Sequence, residues 1–188
     1  LVFISGETRN RKNMMKFNFE LPSKVSQLCD TKNIPFVYLS SLSVYGTPKS
    51  NLVYTNSNKI PFNEYGKTKL MFDDFIKNKL LKLKFCSIAP GTIINPSSSK
   101  NNLIKKGIKI LSSKPLIWIL SIISPAGNYV CVHIDDLVTC LVKECIKIND
   151  VKDKEIYKVF KNYCTKIKIY DLVFYIIGRQ PIFKISHI

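Results

Sequence analysis

Tyr65 and Lys69 stand four residues apart in the run Tyr65-Gly66-Lys67-Thr68-Lys69. On a helix that spacing puts both side chains on one face, with β-carbons about 5 to 6 Å apart. The pair suits acid–base chemistry by a phenol. To act near neutral pH a phenol of pKa about 10 must fall by about 3 units, which is about 4 kcal/mol. One ammonium ~4 Å away, at an effective dielectric near 20, supplies about that much. Asn63 or Glu64 is expected to open the helix, which would leave Tyr65 near the positive end of the helix dipole, where a phenolate is favoured. Ser41 lies at the exit of an expected strand, where its hydroxyl can hydrogen-bond a substrate oxygen beside the phenol.

Spacing alone is a weak signal. With 9 Tyr and 26 Lys in 188 residues, roughly one such pair is expected by chance, since motif matches carry a false-positive risk. Three occur. Tyr45 and Lys49 flank Pro48, which denies a helix interior. Tyr157 and Lys161 lie in a strand-like alternation that would set them apart along an extended chain. Only Tyr65 and Lys69 open a convincing amphipathic helix, with Leu70, Met71, Phe75, Ile76 and Leu80 on one side and Lys67, Asp73, Asp74, Lys77 and Lys79 largely on the other.

The elements that must position this pair follow from an alternation of apolar runs with helix-period stretches. Residues 1–4, 36–39 and 85–88 are continuous apolar runs, as expected of strands buried on both faces of a parallel sheet. Helices are expected over 18–30 and 65–81. The order strand, helix, strand, helix, strand predicts an α/β fold with a parallel sheet. In such a sheet ligands sit at the carboxyl ends of the strands. Those exits carry Ser5-Gly6, Ser40-Ser41 and Ala89-Pro90-Gly91, small residues that let a flat ligand approach the backbone, although turns use the same residues. Further on, a turn-rich break at 96–99 precedes a helix near 103–111, a strand over 129–132 and a helix capped by Asp135, with Leu137, Val138, Leu141, Val142 and Cys145 on its inner face. The tail reads as a strand over 156–160 and a helix or strand over 169–177.

Composition narrows the classes. A chain of 188 residues, 46% apolar and 11% aromatic, can build a core and is not disordered. The net charge of +16 comes mainly from 26 lysines dispersed along the chain, against 3 arginines. Arginine supplies the bidentate fork used in base reading, so the lysines read as solvated faces and no specific nucleic-acid partner is expected. The longest apolar stretch, 116–123, is far short of the ~20 residues a membrane span needs. Six cysteines without a C-x-x-C pair read as free thiols in a reducing, cytoplasmic setting. With only 2 histidines, a metal site is not expected.

Four strings in order, "FVYLSSLSVYG", "EYGKTKLMFDDFI", "IAPGTIINP" and "YVCVHIDDLV", resemble the extended short-chain dehydrogenase/reductases, the nucleotide-sugar epimerase/dehydratase group. The resemblance runs from about residue 1 to residue 147. It implies a Rossmann-like doubly wound parallel sheet, with residues 1–95 as the C-terminal part of the NAD(P)-binding domain and 96–188 completing the sheet and forming a small substrate lobe. It implies Ser41, Tyr65 and Lys69 as the catalytic triad. Cofactor contacts would come from Ser5, Gly6, Ser40, Pro90 and Asn18, the last opening the helix before the serine strand, together with Tyr65 and Lys69. Ser43 and Thr92 would meet substrate, while His133 and Asp136 match a structural pattern. The implied cofactor is NAD or NADP, the implied partner a nucleotide sugar, and pairing of two copies would run through the helices near 18–30 and 65–81.

Departures from the family pattern refine the expectation. Leu42 and Ser43 occupy the places where family 4,6-dehydratases carry Asp-Glu, so an epimerase of the UDP-galactose kind or a keto-sugar reductase is favoured over dehydration. Ala89 replaces an arginine often found before the proline of the nicotinamide loop. The family's glycine-rich turn G-x-x-G-x-x-G, which holds a pyrophosphate at a helix N-terminus, is not in the sequence. The expectation is therefore either a longer enzyme or a non-catalytic remnant.

Overall fold

A computed structural model describes residues 1–47, 53–80, 82–94, 113, 115, 128–151 and 157–168. In chain order the elements are β1 (Val2–Phe3), α1 (Arg11–Met15), a π-helical turn (Lys16–Glu20), α2 (Leu21–Thr31), β2 (Phe36–Leu39), a 3-10 turn (Leu42–Tyr45), α3 (Glu64–Lys79), β3 (Phe85–Pro90), β4 (Thr92–Ile94), β5 (Asn128–His133), α4 (Ile134–Asp150), β6 (Lys158–Tyr163) and β7 (Thr165–Lys168). The helix expected near 103–111, the tail element over 169–177 and Lys49 lie outside the described residues.

The chain forms two compact units, residues 1–91 with 135–163 and residues 92–134 with 164–188. The first unit is discontinuous in sequence because β6 returns to pair with β3. In the first unit β1, β2, β3 and β6 form one parallel sheet in that spatial order. In the second, β5 pairs parallel with β4 and antiparallel with β7. The parallel α/β sheet expected from the sequence is present.

Period-two alternation sorts the first sheet. Phe36, Tyr38 and Phe85 face α2 and α3, joining Cys29, Phe72, Ile76, Leu80 and Leu83 in one buried cluster. The Tyr38 and Phe72 rings lie 4.4 Å apart between centroids. On the opposite face the Cys86 thiol meets Glu144 of α4.

Three helix readings shift. The helix before β2 begins at Arg11, where Asn10 accepts a hydrogen bond from the Lys12 amide, so Asn18 sits inside a π-helical turn and does not open a helix. On α3, Met71 is exposed and Asp73 is buried. On α4, Leu137, Cys140, Glu144 and Ile148 face inward while Val138 and Val142 are exposed, and Asp135 falls in the first turn after Ile134. Polar partners on the sheet explain both exchanges: an apolar count cannot register that a buried carboxylate has found donors.

Phe72 has no exposed surface and touches both sheet and helix layers. Phe72→Ala should cost about 3–5 kcal/mol, read as a lower urea midpoint; a loss below about 1 kcal/mol would show that the cluster is not the centre of the core.

Candidate functional site

Each functional side chain is placed by a local rule. Asn63 caps α3, its side chain accepting from the Gly66 amide at 2.7 Å, which starts the helix one residue before Tyr65 with Glu64 in the first turn. Tyr65, Lys69 and Asp73 then recur at intervals of four along one face. Ser41 caps the 3-10 turn after β2, its hydroxyl accepting from the Ser43 amide at 3.2 Å. The Ser43 hydroxyl donates to Ser41 Oγ at 2.9 Å.

Gly66 lets this turn reach the helix. A β-carbon there would lie 2.5 Å from the Ser43 carbonyl oxygen and 2.9 Å from Pro61 Cβ, closer than any side chain tolerates. The close approach brings Ser41 near enough to Tyr65 for its hydroxyl to act on the ionisation of the phenol.

Lys69 is 2% exposed. Its ammonium donates to the Leu39 carbonyl at 2.8 Å, lies 4.5 Å from the centroid of the Tyr38 ring and 5.9 Å from that of Tyr65. Burial lowers its pKa from 10.5 to about 8, against an opposing pull from Asp73. The sequence led us to expect a phenol made acidic by this lysine. In the structure burial raises the Tyr65 pKa, the Ser41 hydroxyl only partly offsetting it, while the Lys69 ammonium is engaged with Leu39 and Tyr38. Tyr65 is a neutral phenol at rest.

Ser5 and Gly6 are exposed after β1, and a β-carbon on Gly6 would lie 3.2 Å from Lys69 Nζ and 3.3 Å from Asn18 Oδ1. Asn18 is fully buried and its amide is spent on this loop. Oδ1 accepts from the Glu7 amide at 2.8 Å, while Nδ2 donates to the Glu7 carbonyl at 2.9 Å and to Thr68 Oγ1 at 3.1 Å. It anchors the Ser5–Gly6 turn beside Lys69. The Ser40 hydroxyl points to Asp73, donating at 2.9 Å. Pro90 is the last residue of β3, buried and in register with Tyr163. Thr92 and His133 lie in the second unit, on β4 and β5.

Three contributors escaped the sequence reading. Tyr38 offers its ring face to Lys69, Thr68 receives Asn18, and Asp73 is buried behind the lysine. The signal for Asp73 was its place at i+8 from Tyr65; for Tyr38, its parity with Phe36 and Ser40. Tyr157 and Lys161, expected to diverge, both donate to Glu144 on the other face of the sheet. There burial acts upward on the Glu144 carboxyl, and the hydrogen bonds from Lys161 and Tyr157 hold it below its ordinary value. Among the described residues Cys29, Cys86, Cys131 and Cys140 are buried free thiols, whereas Cys164 is exposed. No described helix is long and apolar enough to cross a membrane.

In an open parallel sheet covered by helices, ligands bind at the carboxyl ends of the strands, and Ser41 stands at that end of β2 opposite the first turns of α3. A sequence model of the NAD dependent epimerase/dehydratase family matches residues 4–159, and the chain belongs to that family. Over 69 residues it is 39% identical to ADP-L-glycero-D-manno-heptose-6-epimerase of Alkalilimnicola ehrlichii, covering 36% of this chain and 21% of the relative. Among solved structures it is similar to UDP-N-acetylglucosamine 4-epimerase from Bacillus cereus, with TM-score 0.68 and 16% identity over 95% of this chain and 64% of that one. It is also similar to Bordetella bronchiseptica WbmG in complex with NAD and UDP, with TM-score 0.67 and 12% identity over 100% of this chain and 59% of that one. RMD from Pseudomonas aeruginosa, complexed with NADPH, matches with TM-score 0.61 and 16% identity over 96% of this chain and 67% of that one. The chain thus spans about three fifths of the length of the first two solved structures.

The buried ammonium has a thermodynamic signature. Because Lys69 ionises at about 8 in the fold and at 10.5 when exposed, the folded chain binds fewer protons between those values, and stability rises with pH across that window. Relative to Lys69→Met, the wild type should gain about 2 to 3 kcal/mol between about pH 7 and about pH 10, measured by urea unfolding of both proteins. A constant difference would show that the lysine is solvated.

Proposed function

We propose that the whole protein is an NAD(P)-dependent nucleotide-sugar epimerase or a closely related oxidoreductase, acting from the cytoplasm. The observation that carries this reading is the convergence of Ser41, Tyr65 and Lys69 at the carboxyl end of β2 and the start of α3, with the ammonium 5.9 Å from the Tyr65 ring and the Ser41 hydroxyl near enough to lower the pKa of the phenol. The residues present fit the ribose and nicotinamide end of such a coenzyme. Gly6 leaves open the place where a β-carbon would crowd Lys69 Nζ at 3.2 Å, so exposed backbone lies beside an ammonium able to donate to ribose hydroxyls. When bound, the coenzyme supplies the two-electron oxidant and reductant for a sugar carbon.

The chain's own residues do the proton work. With its own proton first released to water, Tyr65 is the phenolate that takes the proton of a sugar hydroxyl and returns it. The Lys69 ammonium lowers the cost of the phenolate once it turns from Leu39 toward the reacting edge. Ser41, its rotor fixed by Ser43, orients the sugar oxygen. Leu42 and Ser43 provide no acid–base pair for eliminating water, which favours epimerisation or reduction over dehydration. Thr92 and Pro90 are assigned to the walls of the substrate and nicotinamide sites. Two copies would pair through the helices near 18–30 and 65–81, a role supported by the exposed Leu21, Leu28 and Met71.

Tyr65→Phe should abolish turnover, by a factor of about 10² to 10⁴ or more, with coenzyme binding largely kept. Steady-state rates and a coenzyme fluorescence titration on the same preparation check both halves. An undiminished rate would refute the assignment.

A further inference from the structure

The proton-handling pair stands on a third charge that neither composition nor motif assigns. Asp73 lies one helical turn beyond Lys69 on α3 and is 2% exposed. Both of its oxygens are occupied from the sheet: Ser40 donates to Oδ2 at 2.9 Å and Ser87 to Oδ1 at 2.9 Å. Lys59, from the segment preceding α3, approaches Oδ2 at 3.4 Å while resting 4.9 Å from the centroid of the Phe160 ring. A carboxylate this deep in a protein is costly unless donors are provided for it, and here two strands and a loop provide them. Ser40 and Ser87 come from adjacent strands, and their spacing on one sheet face sets where the carboxylate sits.

We propose that Asp73 is a positioning residue for the proton-handling site, the fixed counter-charge that keeps Lys69 an ammonium beside Tyr65. The inference rests on the roles given above to Tyr65 and Lys69. Lys69 has Leu39 as its hydrogen-bond acceptor and the Tyr38 and Tyr65 rings as neighbours, so Asp73 is the negative charge that pulls toward the protonated form against burial. Asp73 is in contact with Lys59, Ser40 and Ser87, and its charge also acts on Tyr38, Tyr45 and Lys69. A cavity of about 190 Å³ beside it is also lined by Asp74 and Lys77. Burial acts upward on the Asp73 carboxyl more strongly than Lys59 and the two serines act downward. The counter-charge is therefore maintained by its donors and is lost on acidification earlier than an exposed aspartate would lose it.

The test is a titration of the full chain carrying lysine labelled with ¹³C at Cε and aspartate labelled at the carboxyl, with Lys69→Met identifying the resonance. The Lys69 midpoint near 8 should fall in Asp73→Asn, which preserves shape and removes charge. A midpoint that stays in place, or climbs toward 10.5, overturns the proposal, the climb being what mere loosening of the fold produces. In the wild type the Lys69 signal should also show a second, acid-range inflection coinciding with the Asp73 carboxyl titration; its absence overturns the proposal even where Asp73→Asn fails to fold. Reduced nicotinamide coenzyme titrated into the same samples separates the two layers. Binding that weakens at lower pH in Asp73→Asn than in wild type supports both, whereas a shifted Lys69 midpoint with no coenzyme binding in either protein keeps the counter-charge and removes the proposed function.

Discussion

One buried ammonium organises the site. Lys69 cannot be taken out of water without an acceptor, a polarizable surface and an opposite charge, and the fold supplies all three from different elements. The Leu39 carbonyl stands at the end of β2, the Tyr38 ring one residue earlier, and Asp73 one turn along α3. Each supplier then needs its own support, which is why Ser40 and Ser87 turn inward and Lys59 is held over Phe160.

This chain of dependence explains why the parallel sheet and α3 must keep a fixed register. The pairing of Tyr38 with Ser87 across β2 and β3 puts a ring for the lysine and a hydroxyl for the aspartate in one row. A slip of one residue would turn both to the opposite face. Gly66 serves the same constraint from the other side, since only a residue without a β-carbon lets the Ser43 carbonyl come so near to the helix. The resting state that results is a neutral phenol near the Ser41 hydroxyl, with an ammonium 5.9 Å from its ring.

The opposite face of the sheet repeats the solution without the same exposure. Glu144 on α4 gathers Lys161, Tyr157 and the Cys86 thiol, and burial together with that carboxylate pushes Cys86 up to about 12. A thiol so far from ionisation is inert at physiological pH. Buried ion pairs of this kind cost much of what they return in Coulomb energy, and their contribution is to fix which helix face meets the sheet.

The sequence by itself determined the parallel α/β class, the strands at 36–39 and from 85, and the helix opened by Asn63. Apolar runs and capping residues act over a few neighbours and can be read in order. It also marked Tyr65, Lys69 and Ser41 as candidates, because a four-residue interval on a helix and a hydroxyl at a strand exit are local facts. Only the tertiary structure decided that Asp73 is buried, that Asn18 anchors the loop after β1 from within a π-helical turn, that Tyr38 lies against the ammonium, and that β6 returns to β3. Those outcomes rest on groups far apart in the chain, from Glu7 with Asn18 to Phe85 with Tyr157, and a pattern that counts apolar residues along one segment carries no information about which distant group will satisfy a buried charge.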